Sequence, residues 1–445
     1  MFRESARARR GVAGDTQAAA AGGVTVTPRS RRGHVAVTPD SGPGTSASQP
    51  GVYNLATMMT HLTLIVPFSV PPGAGDDGRD DVVPGALLRQ LELPALGKLL
   101  TRAAPGPRER HDDPFLRSLP QERWLAGKAG LDTVRVPLAP YMRLADNGGA
   151  TTGTTTGTTT GATTGAPAAT PAAADGQSWA CLQPVHIHAA RDHLVLMPPG
   201  QLGLRPQEAT ALREAIDALL QESGITLETP CPQRWYLPEA VFGPLEATTP
   251  LRAAGRNIDI WMQAGERARD WRRLQNEIQM TWFDHRVNQA REAAGEVPVN
   301  SVWLYGGGAL RPVPRLADTV LSCDPFLSGL ALAGGSRVLP VPAGLAGAAA
   351  LEGSVLAMLD SATEAHVAED WGLWLDRMHA LDADWFAPAL EALAAGRIGA
   401  ITLVLGGENH FAEFTVRRAD LRKFWRGMGQ RGDWRALLSD LALAA

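Results

Sequence analysis

Met58-Met59-Thr60-His61-Leu62-Thr63-Leu64-Ile65-Val66-Pro67-Phe68 (58–68) is where this chain begins to read as a folded protein. Leu62 to Val66 is a compact apolar run, short enough for a strand buried on both faces and closed by a proline. LLRQLELPALGKLL, from Leu87 to Leu100, follows with apolar residues at helical spacing and Pro94 where a second helix begins. Further on, CLQPVHIHAARDHLVLM reads as two strands around a polar turn. Pro206 to Gly224 reads as one helix with Leu212, Ile216, Leu219 and Leu220 on its buried stripe. VNSVWLY is a strand that ends in a Gly306-Gly307-Gly308 turn, and ITLVLGGENHFAEFTV is a pair of strands around a glycine-rich turn, followed by a helix near LRKFWRG. Trp371, Trp374, Leu375, Met378 and Leu381 mark an amphipathic helix. Alternating helices and strands predict an α/β fold with a mixed or mostly parallel sheet covered by helices on both faces.

Outward from this body the text changes character. Met1 to Thr57 has no apolar period of 3.6 or 2 and is built of Ala, Gly, Arg, Ser, Thr and Pro, so it is expected to be a disordered tail. The break in composition places the expected start of translation at Met58 or Met59. No apolar segment follows the early arginine pairs, so no export signal is read there. From Asp146 to Gln177 a second break contains TTGTTTGTTTGATTG, read as a slipped-repeat insert in a surface loop. The expected organisation is a tail at 1–57, the first part of the α/β domain at 58–145, an insert at 146–177 and the rest of the domain at 178–445.

The chain has 445 residues, 44% hydrophobic and 20% charged, with a formal net charge of -4. That balance gives no bulk attraction for nucleic acid or a membrane surface. No apolar run reaches the ~18–20 residues of a membrane-spanning helix. Cys181, Cys231 and Cys323 form no CxxC pair, which predicts neither a disulfide framework nor a thiolate zinc site, and a reducing, cytoplasmic setting.

Three constellations are candidates for chemistry. His186 and His188 alternate along a strand and point to one face, with Asp192 and His193 close behind. They are weak metal candidates, against the ordinary reading of a polar sheet face. The stretch Asp270 to Ala294 is expected as one long helix with two apolar faces, Trp271, Leu274, Ile278 and Trp282 on one and Met280, Phe283 and Val287 on the other. It is therefore expected between layers. Glu277, Thr281, His285 and Asn288 share one sector of that helix. Beside Asn300, Gly306 and Gly308 they form a candidate ligand site, the alternative being a satisfied interior network. Arg417, Arg418, Arg422, Lys423 and Arg426 form a basic cluster, read as a solvated face or a surface for an acidic protein partner.

RLQNEIQMTWFDHRVNQAREAAGEVPVNSVWLYGGG, from Arg273 to Gly308, resembles proteobacterial RpfE-type regulatory proteins, which are often labelled phosphoglycerate mutase. The likeness extends to the first strand, to WACLQPVHIHAARDHLVLM, to RWYL and to LRKFWRG. The mutase label implies a cofactor-independent enzyme of the alkaline-phosphatase-like superfamily, in which aspartates and histidines hold two divalent metals and a Ser or Thr carries the phosphoryl group. LPALGKLL and VNSVWLYGGG are similar to that ground plan. The ligand positions depart from it. Pro67-Phe68 stands where the pattern has Asp-Gly, and Asn409-His410 where it has Asp-His, while Asp360 and His366 fall in the ligand region at a different spacing. The expectation is a catalytically degenerate regulatory protein that binds a ligand or protein partner and needs no cofactor. The alternative is a metal-dependent phosphomutase or phosphatase that uses Asp360, His366 and His410 with Mn or Zn.

Overall fold

The computed structural model describes residues 58–71, 82–109, 113, 115–149, 176–423, 425 and 433–442. The expected tail and the Thr/Gly tract lie outside the described residues, as do Phe424 and Arg426. The strands are β1 (Met59–Val66), β2 (Ala104–Glu109), β3 (Ser178–Val185), β4 (Ile187–Ala189), β5 (Leu194–Leu196), β6 (Glu228–Cys231), β7 (Arg234–Pro238), β8 (Ser301–Ala309), β9 (Thr319–Leu321), β10 (Arg337–Leu339), β11 (Gly353–Met358), β12 (Ile398–Gly406) and β13 (Phe411–Arg417). A seven-stranded sheet runs β10-β9-β11-β1-β12-β13-β2. Its first five strands are mutually parallel, and β13 and β2 join antiparallel.

The sheet is mixed, mostly parallel and flanked by helices, as the alternation predicts. A second sheet, β6-β7-β3-β8, is antiparallel throughout and was not foreseen as a separate layer. β4 and β5 form a small hairpin of their own.

Side-chain alternation assigns each strand face to a core. Leu62, Leu64 and Val66 of β1 enter one core with Trp374, Met378 and Phe386. Ile65 faces the other way, into a second core shared with Trp179, Trp303 and Tyr305 of the antiparallel sheet. Val302 and Leu304 of β8 then face a third core around Trp235, Trp271 and Trp282. The middle core holds the helices Pro120–Ala129, Leu138–Gly149 and Pro325–Ala333.

Gly329, on the last of these helices, lets it approach the helix Leu138–Gly149 closely, because an added Cβ would lie 1.9 Å from the Tyr141 carbonyl oxygen. Gly329→Ala is expected to cost about 2–3 kcal/mol by overpacking. A thermal melt unchanged from the parent would refute that contact.

Several expected boundaries move. Asp146 lies within the helix Leu138–Gly149, and its carboxylate holds Arg234 through two bonds of 2.7 and 2.8 Å, so it is part of the folded body. The expected helix at 206–224 is two, Pro206–Ala215 and Asp217–Glu222, joined at Ile216 with ψ of 4°. The expected long helix is also two, Ala268–Phe283 and Arg286–Ala293, because His285 leaves helical geometry at ψ 138° and caps the second. Its first apolar face is buried as expected. Met280 and Phe283, however, are each 79% exposed, so that face meets solvent and the helix lies on the outside.

The glycine triplet is also placed differently, inside β8. Gly306 has φ 72°, and a Cβ there would lie 2.9 Å from the Cβ of Leu138, so glycine is required by backbone twist and close packing together. Among the described residues no helix is long and apolar enough to cross a membrane.

Candidate functional site

The parallel strands of the large sheet deliver their loops to one edge, the place where open α/β sheets bind ligands. There stand Pro67 to Val70 after β1, Ser322 to Asp324 after β9, Leu359 to His366 after β11, and Gly407 to His410 after β12. The loop after β1 is filled by an aromatic ring. Phe68 adopts φ 51°, a left-handed conformation that disfavours bulky side chains, and is only 3% exposed. Its ring lies 4.9 Å from that of His366, which also meets Trp371 edge-on at 5.2 Å. The indole N–H of Trp374 donates to the Phe68 carbonyl at 2.8 Å.

His366 is held by this packing. Its Nε2 lies 3.2 Å from the Val70 carbonyl oxygen, which can only accept, so Nε2 carries the proton and has no lone pair for a metal. Burial lowers its pKa and keeps the ring neutral. Asp324 caps the helix Pro325–Ala333, accepting from Leu327 N–H at 2.7 Å, and burial raises its pKa, with a further push from the charge of Asp360. Asp360 itself is exposed at the rim, while His410 is buried.

Cations gather at the loop after β12, where Arg252 and Arg256 line a small cavity of about 70 Å³ with Phe68, His366 and Glu408. Arg252, 3% exposed, donates Nη1 to the Glu408 carbonyl at 2.8 Å, Nη2 to Asn409 Oδ1 at 2.5 Å and Nε to the Leu116 carbonyl at 3.2 Å. Its plane lies over Trp261 at 5.1 Å. Burial, reinforced by the charge of Arg256, brings its pKa down to about 10, still protonated at neutral pH. Arg123 binds the Asn409 carbonyl at 2.7 Å and Glu109 at 2.9 Å, and Arg256 pairs with the Glu408 carboxylate at 2.6 Å. Glu122 accepts from Leu119 N–H at 2.8 Å and from the Thr249 hydroxyl at 3.0 Å. Burial pushes its carboxyl up to about 7.

Asp360, His366 and His410 thus lie on the expected edge. Among the described residues, no group of three or more His, Cys, Asp or Glu could hold a metal ion there or elsewhere. The residues that organise the edge, Glu122, Arg123, Arg252 and Arg256, were not singled out by the sequence. Glu122 and Arg123 are neighbours on one helix and Arg252 and Arg256 lie in one short segment, and only the fold brings the two pairs together with the loop after β12.

Two further cavities lie beside the glycine triplet of β8. One of about 440 Å³ is lined by Arg117, Ser118, Val136, Leu245, Thr249 and Gly306, among others. Another of about 270 Å³ is lined by Arg135, Glu239, Gly308 and Arg311, with Arg135 and Glu239 paired at 3.1 Å.

Gly306 and Gly308 therefore face cavities, but the polar partners proposed for them do not converge there. Glu277 pairs with Arg273 at 3.0 Å on the outer helix face, and the Thr281 hydroxyl returns to the Glu277 carbonyl at 2.8 Å. A ring nitrogen of His285 accepts from Val287 N–H, and Asn288 bridges the Trp282 and Val299 carbonyls at 2.8 and 2.9 Å. Asn300 exchanges two bonds with the Ile187 backbone at 2.7 and 2.8 Å. Each polar group is spent on local structure. His186 and His188 do share a face, their rings stacked with centroids 6.0 Å apart. His186 bonds the Pro298 carbonyl at 2.8 Å, and Asp192 and His193 pair with each other at 2.7 Å.

No family model matches the chain. A stretch of 101 residues, 21% of the chain, is 30% identical to the 2,3-bisphosphoglycerate-independent phosphoglycerate mutase of Methanothrix thermoacetophila. That stretch is weakly homologous to the mutase. It spans 26%, about a quarter, of that protein's length. Among solved structures, the cofactor-independent phosphoglycerate mutase from Thermoplasma acidophilum aligns with a TM-score of 0.36 at 16% identity, over 86% of this chain and 100% of that one. The PH0037 protein from Pyrococcus horikoshii aligns with a TM-score of 0.43 at 14% identity, over 87% and 98%.

Proposed function

We propose that this chain is a regulatory protein of RpfE type on a phosphoglycerate-mutase-like scaffold, acting in the cytoplasm by binding a ligand or partner, with its phosphoryl-transfer site degenerate. The observation that carries the reading is the buried Arg252 guanidinium, bonded to the backbone of Glu408 and the side chain of Asn409 at the end of β12. Two-metal phosphoryl transfer needs several anionic or imidazole ligands converging on two cations. Here a side-chain cation takes the acceptors of the β12 loop, Arg256 takes the Glu408 carboxylate, and His366 turns its protonated nitrogen to a carbonyl. The donor set does not fit a pair of divalent ions.

The alternative, a phosphomutase or phosphatase using Mn or Zn near Asp360, His366 and His410, draws its support from the 101-residue homologous stretch. Elemental analysis of protein purified without chelator, with assays on 3-phosphoglycerate and a generic phosphomonoester, separates the two. We expect no stoichiometric Mn or Zn and no turnover. Bound metal with turnover that His410→Ala abolishes would establish the alternative.

A further inference from the structure

We propose that the cavity of about 440 Å³ binds a small amphiphile, an apolar body carrying a single oxyanion head. The inference deepens the ligand-binding part of the function proposed above. The volume is in the range of small-molecule sites, roughly 300–1,000 Å³.

The head is assigned by charge. Arg117 lines the cavity and is part-buried. Its Nη1 is shared among three neutral acceptors, the Thr248 hydroxyl at 3.0 Å and the carbonyls of Met262 and Trp261 at 3.1 and 3.2 Å. Among the described residues no carboxylate pairs with it, whereas Arg123, Arg234 and Arg291 each hold one, Glu109, Asp146 and Glu208. A guanidinium left with neutral partners retains its full charge and a fork suited to an oxyanion.

Ser118, beside it on the cavity wall and 6% exposed, has a buried hydroxyl with no hydrogen-bond partner. A buried polar group of this kind costs stability unless something satisfies it. Thr249 also lines this wall, its hydroxyl donating to Glu122 at 3.0 Å.

The body is assigned by the rest of the lining. Val136, Leu138, Leu245 and Ala247 give an apolar wall, and the rim carries Phe115 and Val134, 57% and 71% exposed. Exposed large apolar residues at the mouth of a concave site mark a surface that a ligand covers. The carboxylates in the lining, Asp113 and Glu246, are both exposed, and Asp113 is turned back to cap Phe115 N–H at 2.8 Å. They leave the guanidinium as the charged group farther from solvent. A plain anion would leave the apolar wall uncovered, and a neutral hydrocarbon would leave the Arg117 charge without a counter-ion.

Isothermal titration calorimetry on the full chain tests this with decanoate, decyl phosphate, decanol and inorganic phosphate. Decanoate or decyl phosphate should saturate at one per chain, and which of them binds more tightly identifies the head. Decanol should bind roughly tenfold more weakly, the contribution of one charge-assisted contact, and inorganic phosphate should not saturate. Val134→Asp and Phe115→Asp alter exposed rim positions and leave folding intact. Each should weaken binding roughly tenfold, and Arg117→Gln should remove the preference for decanoate over decanol. Leu194→Asp, on an exposed position outside the cavity lining, should change nothing.

Phosphate binding as tightly as decanoate, decanol matching it, or rim variants binding like the parent would each overturn the proposal. Metal-dependent turnover alongside saturable decanoate binding would refute the function proposed above and leave this site standing. Absence of metal, turnover and amphiphile binding together would refute the site alone.

Discussion

Replacing Arg252 by alanine is expected to destabilise the chain by about 3–5 kcal/mol, the range for removing one member of a buried charged network. The side chain is 3% exposed and makes hydrogen bonds to two separate segments, at Leu116 and at Glu408-Asn409. Its loss takes a donor from two half-buried carbonyls and an amide oxygen, and removes positive charge from beside Glu408 and Glu122. Arg252→Lys keeps the charge but lacks the fork, so one ammonium cannot reach all three acceptors, and it should recover less than half of the loss. Urea unfolding measures both. A double-mutant cycle with Asn409→Ala separates the network from simple packing, since a coupling energy of about 1–2 kcal/mol is expected if the pair acts together and none if it does not.

Glu122→Gln is expected to change the pH dependence of stability by about 3 kcal/mol between acid and mildly alkaline solution. Burial raises the carboxyl from its ordinary 4.5 to about 7 in the folded chain. A carboxyl shifted upward favours the folded state while neutral. Its contribution is complete below about pH 4.5 and is lost as pH rises through about 7. The parent should therefore weaken between about pH 5 and about pH 8 relative to the glutamine variant, which cannot ionise. Arg123 beside it offsets part of the ionisation cost, and Asp324 adds to it. Comparing parent with variant cancels the other titrating groups. Parallel pH profiles for the two proteins would refute the assignment.

How much of this was legible in the sequence depends on the range of the interaction. β1 begins at Met59, close to its expected place, because a run from Leu62 to Val66 alternates between two apolar cores and needs no partner to be recognised. The helix Pro94–Arg102 starts at its proline, and Trp374, Met378 and Leu381 are buried as spaced. The break at His285 was missed because its ring nitrogen accepts the Val287 N–H, a cap inside a stretch whose apolar period continues across it. The antiparallel sheet was missed as a layer because β3, β7 and β8 come from segments far apart. The edge cluster was invisible for the same reason. Arg123 and Asn409 are 286 residues apart, and Arg252 and Asn409 are 157 apart, and neither pair has a spacing that a motif would record. What the sequence did show at the edge was a first strand that ends in Pro67-Phe68 and supplies no carboxylate there.

The left-handed backbone at Phe68 has an evolutionary corollary. Glycine at that position would relieve the conformation but take away the ring packed on His366, and aspartate would place a charge in a site 3% exposed, facing a histidine held neutral. Neither change helps while Arg252 still occupies the β12 loop, and removing Arg252 first strands the acceptors it serves. Each single step lowers stability, and only the combined change could open the edge to a divalent ion. The two positions line one small cavity and are coupled through stability, so the buried guanidinium sets the cost of remodelling this edge.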